Sequence, residues 1–89
     1  LNRKESLKKM IVLMNLLEKN NEYVIYSYGY EENKLDGRIK IYLDDFYNYE
    51  IIKESKDEHI SKSATLKAIS KLIKAAKNND LKKEMSYQC

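Results

Sequence analysis

The 89 residues contain no proline, no tryptophan, two glycines, one cysteine and one histidine. Each scarcity removes a class of protein. Gly29 and Gly37 stand eight positions apart in the chain, so there is no glycine-rich phosphate loop and no nucleophile elbow. A single cysteine, Cys89, cannot close an internal disulfide, and it leaves no C-x-x-C pair for zinc or redox chemistry. His59 lies in the polar stretch "SKDEHISK". Asp57 and Glu58 beside it make no metal site without further ligands, and a nucleophile pair with Cys89 would need the last residue to fold back. Asp44 and Asp45 point to opposite faces of an extended chain and read as turn formers, not as an acid/base pair. The expectation is a non-enzymatic protein with no cofactor, no metal and no small-molecule substrate.

Long apolar runs are missing as well. The longest, Met10 to Met14, is far short of the roughly 20 residues that cross a bilayer. The lysine-rich start lacks the apolar core of a signal peptide. A soluble, cytoplasmic chain that does not engage a membrane is expected.

What is present suits an ordinary folded domain: 43% hydrophobic and 35% charged residues. The length predicts one compact domain over residues 1–79, with residues 80–89 a short tail or one more helical turn. A formal charge of +3 is too mild to argue for a polyanionic partner by itself, so any such argument rests on where the charges lie.

Leu7, Met10, Ile11, Met14 and Leu17 recur at helical spacing and predict a first helix over about Arg3 to Lys19. Asn2 and Glu5 supply a capping box, and Asn20-Asn21 a stop. Val12, Leu13 and Leu16 fall outside that stripe, which predicts burial on a second side or a docking surface, for a second copy or another protein. Alternation of β-branched and aromatic residues with polar ones then predicts three strands: Glu22 to Tyr30, Arg38 to Leu43 and Phe46 to Glu54. Asp36-Gly37 and Asp44-Asp45 provide turns between them, and links this short imply antiparallel neighbours. Ile39, Ile41 and Leu43 face one way; Arg38, Lys40 and Tyr42 face the other. Seven of the eight tyrosines lie between Tyr23 and Tyr49, so both sheet faces carry some, and those beside Arg38 and Lys40 suit base stacking or plain strand packing.

"SKSATLKAISKLIKAAK", Ser61 to Lys77, predicts a second helix capped by Ser61 or Ser63, with Leu66, Ile69, Leu72, Ile73 and Ala76 buried. The resulting architecture is α+β: helix, three-stranded antiparallel sheet, helix (αβββα), with both helices on one sheet face. The second helix carries five lysines and no carboxylate. Like charges three and four apart cost a few tenths of a kcal/mol per pair, and burial of the opposite face does not require them. Lys62, Lys67, Lys71, Lys74 and Lys77, with Arg38 and Lys40 on the sheet, are therefore the candidate contacts for nucleic acid or an acidic partner.

In element order, and in the placing of Ser61, Lys62, Ala68 and Lys71 within "SKSATLKAISKL", the chain resembles the double-stranded RNA-binding domain. That resemblance implies phosphate contact from the second helix. The sequence departs from the family in having Ser63 where a second basic residue is expected, and an acidic "EENKLDG" loop without its Gly-Pro and His. Two functions are in view. One is a nucleic-acid-associated module working through the lysine helix. The other is a protein-interaction module, a small inhibitor or adaptor of the kind carried by mobile elements, docking through the apolar first helix or a sheet edge.

Overall fold

The alternation that marks the middle of the sequence extends further along the chain than helical spacing suggests. The computed structural model describes residues 11–88, and it builds five strands and one helix: β1 (Ile11–Lys19), β2 (Tyr23–Gly29), β3 (Gly37–Tyr42), β4 (Asp45–Lys53), α1 (Lys62–Lys77) and β5 (Glu84–Gln88). The strands form one sheet in the order β4-β3-β2-β1-β5, and every pairing is antiparallel.

This corrects the αβββα expectation. Ile11–Lys19, read as the greater part of a first helix, is an interior strand between β2 and β5. The remainder of that reading, with Asn2, Glu5, Leu7 and Met10, lies outside the described residues, as does Cys89. A helix would place Val12, Leu13 and Leu16 off its stripe. The strand instead buries Val12 and Met14 completely and packs Leu16 against the same core. Full burial of such side chains is worth about 1.5–3 kcal/mol each, whereas the helix propensities of Leu and Met differ from others by at most about 0.7 kcal/mol. Asn20, read as a helix stop, closes the β1–β2 hairpin: its Oδ1 accepts from the Glu22 and Tyr23 N–H groups at 2.8 and 2.9 Å. Leu17 is the extra residue of a bulge and is half exposed. Residues 84–88 form the edge strand β5, not a tail or a further helical turn.

β2 to β4 lie within a residue or so of their expected bounds. Tyr26 and Tyr28 point to the helix side and are fully buried beside Ile39 and Ile41. Gly37, opposite Tyr28, makes room for that ring: a Cβ at Gly37 would come within 2.3–2.6 Å of three of its atoms. Gly29 admits the β2–β3 loop in the same way, its missing Cβ lying 2.6 Å from the Lys34 carbonyl oxygen.

α1 begins at Ser61, whose side chain accepts from the Ala64 N–H at 3.0 Å. Ala64, Ala68, Ile69, Leu72 and Ile73 press on the sheet. Leu66, expected inside, is 41% exposed because the buried arc is centred nearer Thr65 and Ala68. The helix ends at Asn78, and Asn79 takes the left-handed conformation, with φ 55°. Among the described residues this is the one helix, and it lies on one face of the sheet. The element order behind the resemblance to the double-stranded RNA-binding domain is therefore not found among the described residues.

Candidate functional site

Capping at Ser61 and the apolar arc fix the rotation of α1, and the rotation decides where its lysines go. Lys62, Lys67, Lys71, Lys74 and Lys77 are all exposed. At 3.6 residues per turn, Lys67, Lys71 and Lys74 fall within about 60° of arc, on the side of the helix nearest β5. Together with β5 they line a groove in two halves that share Lys71 and Lys74.

The first half, of about 500 Å³, is formed by Lys67, Ser70, Lys71, Lys74, Tyr87 and Gln88. Among the described residues it contains no carboxylate. In the second, of about 470 Å³, Lys82 joins Lys71 and Lys74, and Asp80 and Glu84 supply negative charge. Among the described residues the one salt-bridge contact is Asp57 with His59, which carries charge only when protonated, so among them the α1 lysines have no carboxylate partner. The first turn of α1 holds no acid, while Lys74 and Lys77 sit favourably in its last turn.

Two of the expected contacts part from this group. Lys77 is turned the other way, its ammonium 4.5 Å from the centre of the Tyr47 ring and bonded to the Tyr47 hydroxyl. Lys62 stands alone in the first turn.

Arg38 and Lys40 are not brought to the helix at all. Ile39 and Ile41 point to α1, so their neighbours occupy the opposite sheet face. Lys40 Nζ lies 4.3 Å from the centre of the Tyr23 ring and 4.9 Å from that of Tyr42, and the two rings meet edge to face at 6.5 Å. Hydrogen bonding to Tyr42 holds the Lys40 ammonium above its ordinary pKa, and the nearby Tyr23 and Glu50 act in the same direction. The aromatic surfaces considered for base stacking on this face are thus already capped by a lysine. Arg38 stands beside Lys53 across the strands.

The surface expected of Val12, Leu13 and Leu16 is divided as well. Val12 is in the core and Leu16 packs against it, while Leu13 lies half-buried on the open face near Leu35 of the β2–β3 loop.

A polar cluster at the end of the sheet ties that loop to the β4–α1 connection. Asp36 accepts from the Ser55 hydroxyl at 2.7 Å and the Lys56 N–H at 2.9 Å. Those two bonds, with the Lys56 N–H foremost, hold its carboxyl below the usual value. Asp57 Oδ1 accepts from the His59 N–H and faces His59 Nδ1, each at 2.8 Å, which lowers the Asp57 carboxyl in turn. The His59 ring stacks on Tyr30 at 4.1 Å, and the Tyr28 hydroxyl accepts from the Ser55 N–H. The Ser55 hydroxyl is directed to Asp36, not to His59, so the groups do not form a relay for nucleophilic attack. They lock one end of the fold. No group of three or more His, Cys, Asp or Glu side chains among the described residues is placed to hold a metal ion, and no described helix is long and apolar enough to cross a membrane.

Tyr87, Gln88, Ser70 and Lys82 are the groove residues that spacing alone did not single out. For Tyr87 and Gln88 the signal was the alternation in "EMSYQ", where Met85 and Tyr87 turn to the helix side opposite Met14 and Val12. Compared with models of known protein families, with curated proteins and with solved structures, the chain matches none.

Proposed function

We propose that the chain is a non-enzymatic binding module that holds the phosphate backbone of nucleic acid along α1. The observation that carries this reading is the acid-free half of the groove, where Lys67, Lys71 and Lys74 converge without a carboxylate partner. Lysines left unpaired in this way neutralise phosphates and release their counterions, so affinity is largely independent of sequence and falls steeply with salt. The net charge of +3 keeps long-range attraction weak, so contact with the groove itself must supply the affinity.

A second reading has an observation of its own. β5 pairs with β1 in unbroken register, while the other edge, β4, is interrupted by two register shifts that blunt it. β5 is therefore the edge suited to receive an extended peptide, and the lysines would favour an acidic one.

The test is binding of fluorescently labelled nucleic acid across a salt series, with the triple variant Lys67→Glu, Lys71→Glu, Lys74→Glu beside the parent. Because all three side chains are solvated, the variant unfolds cooperatively with stability within about 1 kcal/mol of the parent. The reading predicts binding that weakens with salt and is lost in the variant. Absence of binding at low salt, or binding the variant retains, contradicts it.

A further inference from the structure

From the shape of the site we infer that the nucleic acid it takes is single-stranded, laid between α1 and β5 with a base stacked on Tyr87. This rests on the phosphate-binding reading of α1 and deepens it. Three features of the groove point the same way. The lysines form a single row: Lys67, Lys71 and Lys74 are spaced about 6 and 4.5 Å along the helix axis at 1.5 Å per residue. One row of cations serves one backbone, whereas a duplex presents two.

The floor beside that row is a strand, not a second charged helix. At its acid-free end stands Tyr87, half-buried, anchored on the core yet lining the groove. A basic channel that tracks a backbone next to an aromatic ring is the arrangement by which proteins hold single strands without reading sequence. The outer edge of β5 has no strand partner among the described residues, so its backbone N–H and C=O groups are free to meet base edges that a duplex would keep paired.

Charge then sets the position along the groove. In the far half Asp80 and Glu84 offset most of the charge of Lys71, Lys74 and Lys82, so phosphate is held more strongly at the end formed by Lys67, Ser70, Lys71, Lys74, Tyr87 and Gln88. β5 spans about 17 Å at 3.4 Å per residue, so the contact covers only a few nucleotides.

The experiment compares a labelled thymidylate single strand of about 12 nucleotides, within the range of site sizes for such grooves, with a duplex of the same length. Both are measured on the full chain at several salt concentrations. The single strand binds more tightly. Its log–log salt slope is about −2, for three phosphates at about 0.7 each, and Lys71→Gln reduces it by about 0.7. Tyr87→Phe leaves affinity near that of the parent, while Tyr87→Leu, which keeps the apolar packing, weakens it about fivefold or more. Thermal unfolding of both Tyr87 variants reports that the fold is kept.

A duplex bound as tightly as the single strand, still dependent on the three lysines, overturns this inference and leaves the phosphate-binding reading standing. Neither probe binding removes both. Single-strand binding that a folded Tyr87→Leu variant leaves unchanged removes the stacking role. A polyglutamate peptide that binds as tightly as the single strand also overturns the inference and assigns the groove to an acidic polypeptide.

Discussion

Tyr28 shows how much of this structure depends on individual atoms. Its ring fills the space that Gly37 leaves, and its hydroxyl accepts from the Ser55 N–H at 3.1 Å, joining β2 to the segment after β4. Both the ring and the β3 backbone are held in the sheet, so neither can move aside for a methyl group. Gly37→Ala should therefore destabilise the protein by about 1–3 kcal/mol, the usual cost of overpacking, read as a lower urea midpoint. Asp36 makes a different kind of contribution. Its carboxyl is held below the ordinary value of 3.8 by the Lys56 N–H and the Ser55 hydroxyl. A depressed carboxylate binds fewer protons folded than unfolded, so the stability it supplies is present above pH 3.8 and is lost as the pH falls through the lower, folded value. The parent should exceed Asp36→Asn in urea midpoint at neutral pH, and the gap should narrow in acid. A gap that stays constant across that range would show that Asp36 acts without its charge.

β1 and β5 are the elements in which sequence and structure part, and the causes are linked. Met10 to Leu17 is a short stretch, apolar except for Asn15, for which periodicity alone does not separate a strand from a buried helix. The run satisfies spacings of three and four, yet it also alternates at Val12, Met14 and Leu16. An interior strand whose reverse face is half covered by the β2–β3 loop carries apolar residues on both sides, so the alternation is blurred. Once those residues are read as a helix, "EMSYQ" has no strand to pair with, and five residues are too few to stand alone. β2, β3, β4 and α1 were legible because their alternation or helical spacing is regular and the turn and cap chemistry at Asp45 and Ser61 is local, each bonding within three residues. The lysines could be read as an exposed row, but not the strand they face, which comes from the other side of a long-range pairing. Two substitutions separate the strand from the helix. Leu17→Lys, at an exposed bulge, should change stability by less than about 1 kcal/mol; Val12→Asp, which puts a charge into the core, should cost more than about 3 kcal/mol or prevent folding. A helix with Leu17 in its buried stripe and Val12 outside it predicts the reverse order in chemical denaturation.

At the scale of the whole molecule, the sheet separates two positive surfaces with different chemistry. On the open face Lys40 is engaged with Tyr23 and Tyr42, and Arg38 lies next to Lys53, all remote from α1. On the helix face Lys67, Lys71 and Lys74 stand without carboxylates above an edge strand. The open-face cavity holds one lysine, already engaged with two tyrosine rings and accompanied by Glu22 and Asp44, whereas the helix face offers a row of three, which assigns binding to that side. The most direct measurement is a titration of the isotope-labelled protein with a thymidylate single strand, following backbone amide shifts by NMR. Binding in the groove concentrates the shifts at Lys67 to Lys74 and Met85 to Gln88 and leaves Tyr23, Arg38, Lys40 and Tyr42 unmoved. Shifts confined to the open face, or none at low salt, would contradict it.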